Sequence, residues 1–533
     1  MPMPIPTRMT MRRVACVISV VSAMSGLCLP SSPARADEFV DRVNAPFKQI
    51  PDDKRSDTVL LPLLAAMDPA PDEVNTQARA ALLANKGPGW SQAAAWAQKP
   101  AQKAVIDALD KVTKEEDRLK AYAFAQPYGA EAMGAQKDAL DLISRGFYTE
   151  LGEPALLGAA RFGYMPALEQ AGVLAHVEAS RRLEDGDWTG ASKVITDWVF
   201  FSRQLADRPF MKEKKWAIES MKLGLERLRD MAYVDSRSEK RAADPAKVRE
   251  LITRLRERRG FLMLDRITLP EADFIAGEQM VGLVMTPGAG PNPDRFGPYM
   301  ARAGAAERPL RLFSSSAYWD SAAAEHANSR ETKAMLEGIH LDWGKRWQLS
   351  PFDRLVQTVT DYRRRVATSP KFSMLNTSYR DVDQLFPLRQ ELRAELAGTR
   401  MALGAYGFFL RQKSLPPGLE ATRPAYIDVI DKDPFSKRIN DIRYFVAQRD
   451  TPNDDQGQPK PHVIKVFPPA PASSFEVPLG PDQFVVFSVG PDDAADFALQ
   501  STQGRANVRG DYLLFPPLLS LYRQRLIDID QLK

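Results

Sequence analysis

Cysteine is almost missing from this chain of 533 residues: there are two, Cys16 and Cys28, both close to the N-terminus. Once the leader described below is removed, the rest has none. That excludes a disulfide framework and any thiolate metal site, and a chain of this size needs no such staples. Histidine is nearly as scarce. The four present, His176, His326, His340 and His462, stand in neither H-x-x-x-H nor H-E-x-x-H spacing, which argues against a zinc site of the usual type. His176, between Leu174 and Val177 on an expected helix, reads as a core or edge residue.

Other absences narrow the chemistry further. There is no G-x-S-x-G elbow. The Gly-Lys of "GIHLDWGKR" (Gly338–Arg346) has the wrong spacing for a phosphate loop and no Ser or Thr after the lysine. "GAGPNP" (Gly288–Pro293) lacks the last glycine and the preceding strand of a dinucleotide fingerprint. Acid pairs for glycoside hydrolysis stay open, because 68 acids offer many spatial pairs and the sequence selects none.

A large charge excess is absent too. Lys and Arg total 72 against 68 Asp and Glu, and Arg8, Arg12, Arg13 and Arg35 account for the whole difference. Without those four the charge is balanced, which removes any global pull on nucleic acid or anionic lipid. The four belong to an export signal. A basic stretch is followed by the 16-residue apolar run "VACVISVVSAMSGLCL" (Val14–Leu29), then Pro30, Pro33 and the small-residue motif Ala34-Arg35-Ala36. The three-part pattern predicts a signal peptide over 1–36, with cleavage after Ala36. The run is short for a membrane span of ~20 residues, and no second run of 18 follows, so no membrane span is expected after cleavage. A periplasmic or secreted location follows.

What is present is mostly helix. From Asp57 to Met231 the sequence is rich in Ala, Leu, Glu, Lys and Arg, broken only by short turns. The clearest pair of helices runs from Pro166 to Asp207. Leu168, Leu174 and Val177 mark the first, and Val194, Trp198, Phe201 and Leu205 share one face of the second. Asp187 in the turn "EDGDW" is placed to cap the second helix. Such a hairpin resembles one tetratricopeptide unit, yet no 34-residue repeat appears, so a helical bundle or irregular array is expected. In "DPAKVRELITRLRERR" (Asp244–Arg259), Val248, Leu251, Ile252 and Leu255 form an apolar stripe, so its basic side reads as a solvated face.

The character changes near residue 381. Leu385 to Arg411 reads as one long amphipathic helix with Pro387 in its first turn. After it come short β-like runs: Ile442–Gln448, His462–Phe467, Phe484–Val489 and Asp511–Phe515, with a polar insertion over Arg449–Pro461. The expected architecture is therefore mainly α with a C-terminal α+β module: a predominantly helical region over 37–380, subdivided near 287–298, then a module over 381–533 in which a long helix packs on a small antiparallel sheet.

The phrases "YGFFLRQKSLPPGLEAT" (Tyr406–Thr422), "DKDPFSKRINDIRYF" (Asp431–Phe445), "FVVFSVGPDD" (Phe484–Asp493) and "GDYLLF" (Gly510–Phe515) occur in that order. Together they resemble the globular part of the G-type pseudopilins of type II secretion, and exported bacterial proteins of unknown function that carry such a module at their C-terminus. The resemblance covers about 130 residues. It implies a calcium ion in the loop after the FSVGPD strand, held here by Asp493, Asp496 and Asp511. Two departures weaken that implication: Asp493 stands where a glycine is expected, and "AADFALQSTQGRANV" (Ala494–Val508) replaces a glycine-rich loop. A third concerns assembly. No prepilin-peptidase site runs into a membrane helix, which argues against pilus incorporation. The sequence identifies no reaction; the expected reading is an exported, non-catalytic binding or envelope-assembly protein with an unidentified protein or envelope partner. The alternative is a periplasmic hydrolase with an unrecognised carboxylate site in the helical region.

Overall fold

The computed structural model of the chain describes residues 34–83, 89–115, 117, 120–256, 262–305, 312–350, 352–357, 361–379, 382–451, 453, 455–458, 460–468, 473–501 and 509–532. Most of the expected signal segment, 1–33, lies outside the described residues. The described chain is mainly helical, with small antiparallel sheets concentrated in its C-terminal part.

Three consecutive helices build the centre: Met165–Glu184, Trp188–Leu205 and Met211–Ser236. Their apolar residues recur at helical spacing, so each helix buries a stripe. Leu168, Leu174, Val177, Val194, Trp198, Phe201 and Leu205 are all buried. The turn between the first two helices works as expected. Gly186 takes the left-handed conformation (φ 78°), and the Asp187 carboxylate accepts the Gly190 N–H at 2.8 Å. Close packing continues onto the Met211–Ser236 helix, where a Cβ on Gly224 would stand 2.5 Å from Val199.

The Leu385–Gln412 helix lies along this central helix and is the hinge of the architecture. Its other sides meet the Pro245–Arg254 helix and the sheet. Val248, Leu251, Ile252 and Leu255 are buried as their spacing predicts, while Arg254 covers the Phe200 ring at 5.0 Å. Gly398 on the long helix lets strand Leu514 approach: a Cβ there would meet Leu514 Cδ1 at 2.5 Å.

The described residues form seven strands. A two-residue pair, β1 (Thr149–Glu150) and β2 (Arg161–Phe162), belongs to the helical part. In the C-terminal part β3 (Arg443–Val446), β6 (Phe484–Ser488) and β7 (Tyr512–Phe515) form one antiparallel sheet with β6 in the middle. The expected strand His462–Phe467 is present as β4 (His462–Val466), but it pairs instead with β5 (Phe475–Leu479) in a separate hairpin. The sequence reading missed β5, whose Pro478 interrupts a short run. It also missed the helix Leu518–Asp528 that closes the chain. A continuous buried cluster joins Val43 to Phe515, and a smaller one lies between the β4–β5 hairpin and the back of the sheet.

Candidate functional site

The C-terminal motifs meet at Asp433. The turn Asp433-Pro434-Phe435-Ser436 uses the carboxylate locally, accepting the Phe435 N–H at 2.9 Å. The same carboxylate accepts the Ser488 hydroxyl at 2.7 Å and the Val489 N–H at 2.9 Å, so it clamps the end of β6. Burial pushes the Asp433 carboxyl up, against the pull of these three donors. Phe435 is buried and stacks on Tyr512 at a centroid distance of 5.8 Å. The Tyr512 hydroxyl then donates to Glu395 on the long helix at 2.8 Å. Glu395 in turn binds Arg229 of the central helix, whose guanidinium also donates to Thr399 at 2.6 Å.

The acids of the next loop divide. Asp511 Oδ2 accepts the N–H groups of Asp496 at 3.0 Å and Ala498 at 2.7 Å. Burial first, and then the neighbouring Asp496 carboxyl, push Asp511 up to about 8. Asp496 and Asp511 are thus brought together. Asp493 is not with them: its Oδ1 accepts the Lys437 N–H at 3.0 Å, back in the Asp433 turn. Asp492, which is not among the expected calcium ligands, accepts the Gly510 N–H at 3.1 Å. Calcium takes six to eight oxygens, and two adjacent carboxylates supply only part of such a set. Among the described residues no group of three or more His, Cys, Asp or Glu is placed to hold a metal ion.

On the opposite side of the Asp433 turn lies a cleft of about 700 Å³ between the long helix, Arg256, Asp265 and the segment 428–434. Arg393, Ala397 and Arg400, spaced four and three apart, present one helical face to it. Arg400 binds both oxygens of Asp431 through Nη1 and reaches Asp428 at 3.2 Å through Nη2. Arg393 pairs with Asp265, and Arg256 lies 3.5 Å from Asp428. Partial burial raises Asp428, but backbone N–H donors with Arg256 and Arg400 outweigh it and hold the carboxyl below its usual range. Chain direction explains the arrangement: along 431–433, Asp431 turns out to Arg400 while Asp433 turns in to Ser488. No local motif announces this cleft, because its ion pairs join residues 28 to 31 positions apart or more.

Two polar clusters in the helical part complete the picture. Glu213 accepts from Tyr128 at 2.7 Å, from Tyr164, and from Arg208 Nε at 2.8 Å. Burial holds both phenols well above their usual range, so they act as donors and not as nucleophiles. Nearer the surface His340 stacks on Phe274, with Nδ1 3.0 Å from the Tyr379 hydroxyl and Nε2 3.3 Å from Glu271. His176 is a core residue, as one reading had it. Its ring nitrogens lack hydrogen-bond partners among the described residues, and burial, then Arg227, lowers it to about 3.

Comparison with protein-family models, with curated proteins and with solved structures finds no match to the chain.

Proposed function

We propose that the chain is an exported, non-catalytic protein of binding or envelope assembly, with a pseudopilin-like C-terminal module, and that the cleft beside the Asp433 turn is its ligand site. The cleft carries the reading. Its volume of about 700 Å³ is that of a small-molecule or peptide-fragment site, and it combines charged groups with an apolar wall from Ala397, Ile430 and Pro434. The interlock of Asp433 with Ser488 supports the module, because it joins the two phrases on which the resemblance rests. A hydrolytic site would concentrate acids of raised pKa in a concave place. Here the cleft acids are paired with arginines. Asp433, which burial does raise, points its carboxylate to Ser488 and Val489 and does not line the cleft, and neither do Glu226 and Asp511.

The test is native mass spectrometry of the protein recovered from a periplasmic fraction, compared with an Ala397→Trp variant whose indole fills the cleft. A small-molecule adduct on the wild type that the variant loses supports the reading. Identical spectra without adduct, or a protein that stays cytoplasmic, would sink it. N-terminal sequencing of the same sample is expected to begin at Asp37.

A further inference from the structure

The cleft carries charges of both signs. Deepest are the side chains of Arg400 and Arg393, two turns apart on the long helix and 6% and 23% exposed, with the Asp431 side chain beside them at 22%. The rim is mixed: Asp265 and Asp428 are 64% and 51% exposed, and Lys432 and Arg256 are 59% and 36% exposed. Lys432 also lines the cleft, but it donates to Asp441 at 2.7 Å. A ligand of one sign therefore meets opposition. A polyanion attracted to the arginines passes Asp265, Asp428 and Asp431, and a polycation attracted to the rim meets the floor.

We propose that the cleft binds a zwitterionic ligand of peptide chemistry, with its carboxylate on the Arg393–Arg400 floor and its ammonium against the rim carboxylates of Asp265 and Asp428. This rests on the binding reading above. Guanidinium forks match a carboxylate in geometry and donate two parallel hydrogen bonds to it. Asp428 and Asp265 are the partners an incoming ligand exchanges, since exposed carboxylates contribute least to such pairs, while Asp431 keeps its hold on Arg400 Nη1. Arg400 also retains Nε without a hydrogen-bond partner among the described residues. Displaced rim acids would be left facing the ligand, and an ammonium there restores their pairing. The volume exceeds the need of a single amino acid, and the wall of Ala397, Ile430 and Pro434 offers contact for an apolar side chain. A short peptide with both termini free meets all of these conditions.

Isothermal titration of the full chain with the tripeptide Ala-Leu-Ala, its N-acetylated form, its C-terminal amide and inorganic phosphate tests this. The free tripeptide is expected to bind, with each blocked form at least tenfold weaker and phosphate without effect. Arg393→Gln should weaken the tripeptide tenfold or more and Asp428→Asn severalfold, while Lys247→Gln, which does not line the cleft, changes nothing. Thermal melts of each variant confirm that it folds. Equal binding of a blocked form, or phosphate binding as tight as the peptide, overturns the zwitterion. If the tripeptide does not bind although Ala397→Trp removes an adduct from the wild type, the binding site stands and the zwitterion falls. If neither is seen, both fall.

Discussion

The Asp433 carboxylate accepts the Ser488 hydroxyl at 2.7 Å, joining a turn to the end of a strand 55 positions further along the chain. Three donors converge on this one buried acid. Asp433→Ala leaves all three without their acceptor, and buried unsatisfied donors are costly. The substitution is expected to destabilise by about 3 kcal/mol, with Asp433→Asn nearer 1 kcal/mol because one oxygen remains. Urea unfolding checks both values. Equal stability of the alanine variant would show that the turn and β6 are held by packing alone.

The stripe Val194, Trp198, Phe201 and Leu205 and the cap at Asp187 were legible because helical period and capping are local rules. So were β3, β4, β6 and β7, whose branched and aromatic runs end at turn residues. Less was visible of anything joined across the fold. The partners of β4 depend on where β5 falls, and Pro478 obscures β5. Of the acid loop, sequence named Asp493, Asp496 and Asp511, but only tertiary geometry shows that Asp493 belongs to the Lys437 turn. The cleft was not legible at all. Arg400 and Asp431 are an ordinary pair in a chain with so many charges, and only the path of 428–434 past the long helix gives them meaning.

Glu226 gives the fold a pH dependence that opposes the usual carboxylate pattern. Its Oε1 accepts the Leu519 N–H at 2.7 Å, and burial, then the Glu395 carboxylate, push it up to about 7. Between the unfolded value near 4.3 and about 7, the folded state holds a proton that the unfolded chain has lost. Stability from this group therefore falls as pH rises through that window. Glu226→Gln keeps an acceptor for Leu519 and removes the ionisation. It is expected to be more stable than wild type at pH 8, by about 1–3 kcal/mol, and close to it at pH 4. Unfolding curves at the two pH values decide the matter.

His176 acts with the opposite sign. Its folded value of about 3 lies below the ordinary 6.5, so the unfolded chain binds the proton first as pH falls. Stability from the neutral ring is present above about 6.5 and is lost progressively toward 3. His176→Leu, similar in volume and uncharged, should retain more of its pH 7 stability at pH 4 than wild type does. The expected difference is on the order of 2–3 kcal/mol. Parallel acid-unfolding curves for the two proteins would refute the assignment.

Arg523 ties the closing helix to the centre. It donates to both oxygens of the buried Asp230, at 2.8 and 2.9 Å, and to the Ala81 carbonyl at 2.6 Å. Asp230 keeps Arg227 and Ser520 when Arg523 is removed, so the core charge stays paired. Arg523→Ala is therefore expected to loosen Leu518–Asp528 more than the core. Hydrogen exchange should rise in that helix by tenfold or more while the Met165–Glu184 helix is little changed. Uniform acceleration across both would instead mark Arg523 as part of the global fold.

Calcium tests the Asp496–Asp511 pair directly. An ion would have to compete for oxygens already in use. Asp511 Oδ2 accepts two backbone N–H groups, and Asp496 Oδ1 accepts that of Leu499 at 3.1 Å. Asp492 and Asp493 are committed to Gly510 and Lys437. An ion would compete with these contacts, and the pair alone falls short of a calcium shell. The expected result is a melting temperature unchanged, within about 1 °C, between chelator and millimolar calcium. A ligand at 100 times its dissociation constant stabilises by about 2.7 kcal/mol, which such a melt resolves easily. A rise of several degrees that Asp511→Asn abolishes would show that the loop rearranges to supply the missing oxygens, with Asp493 released from Lys437 to do so.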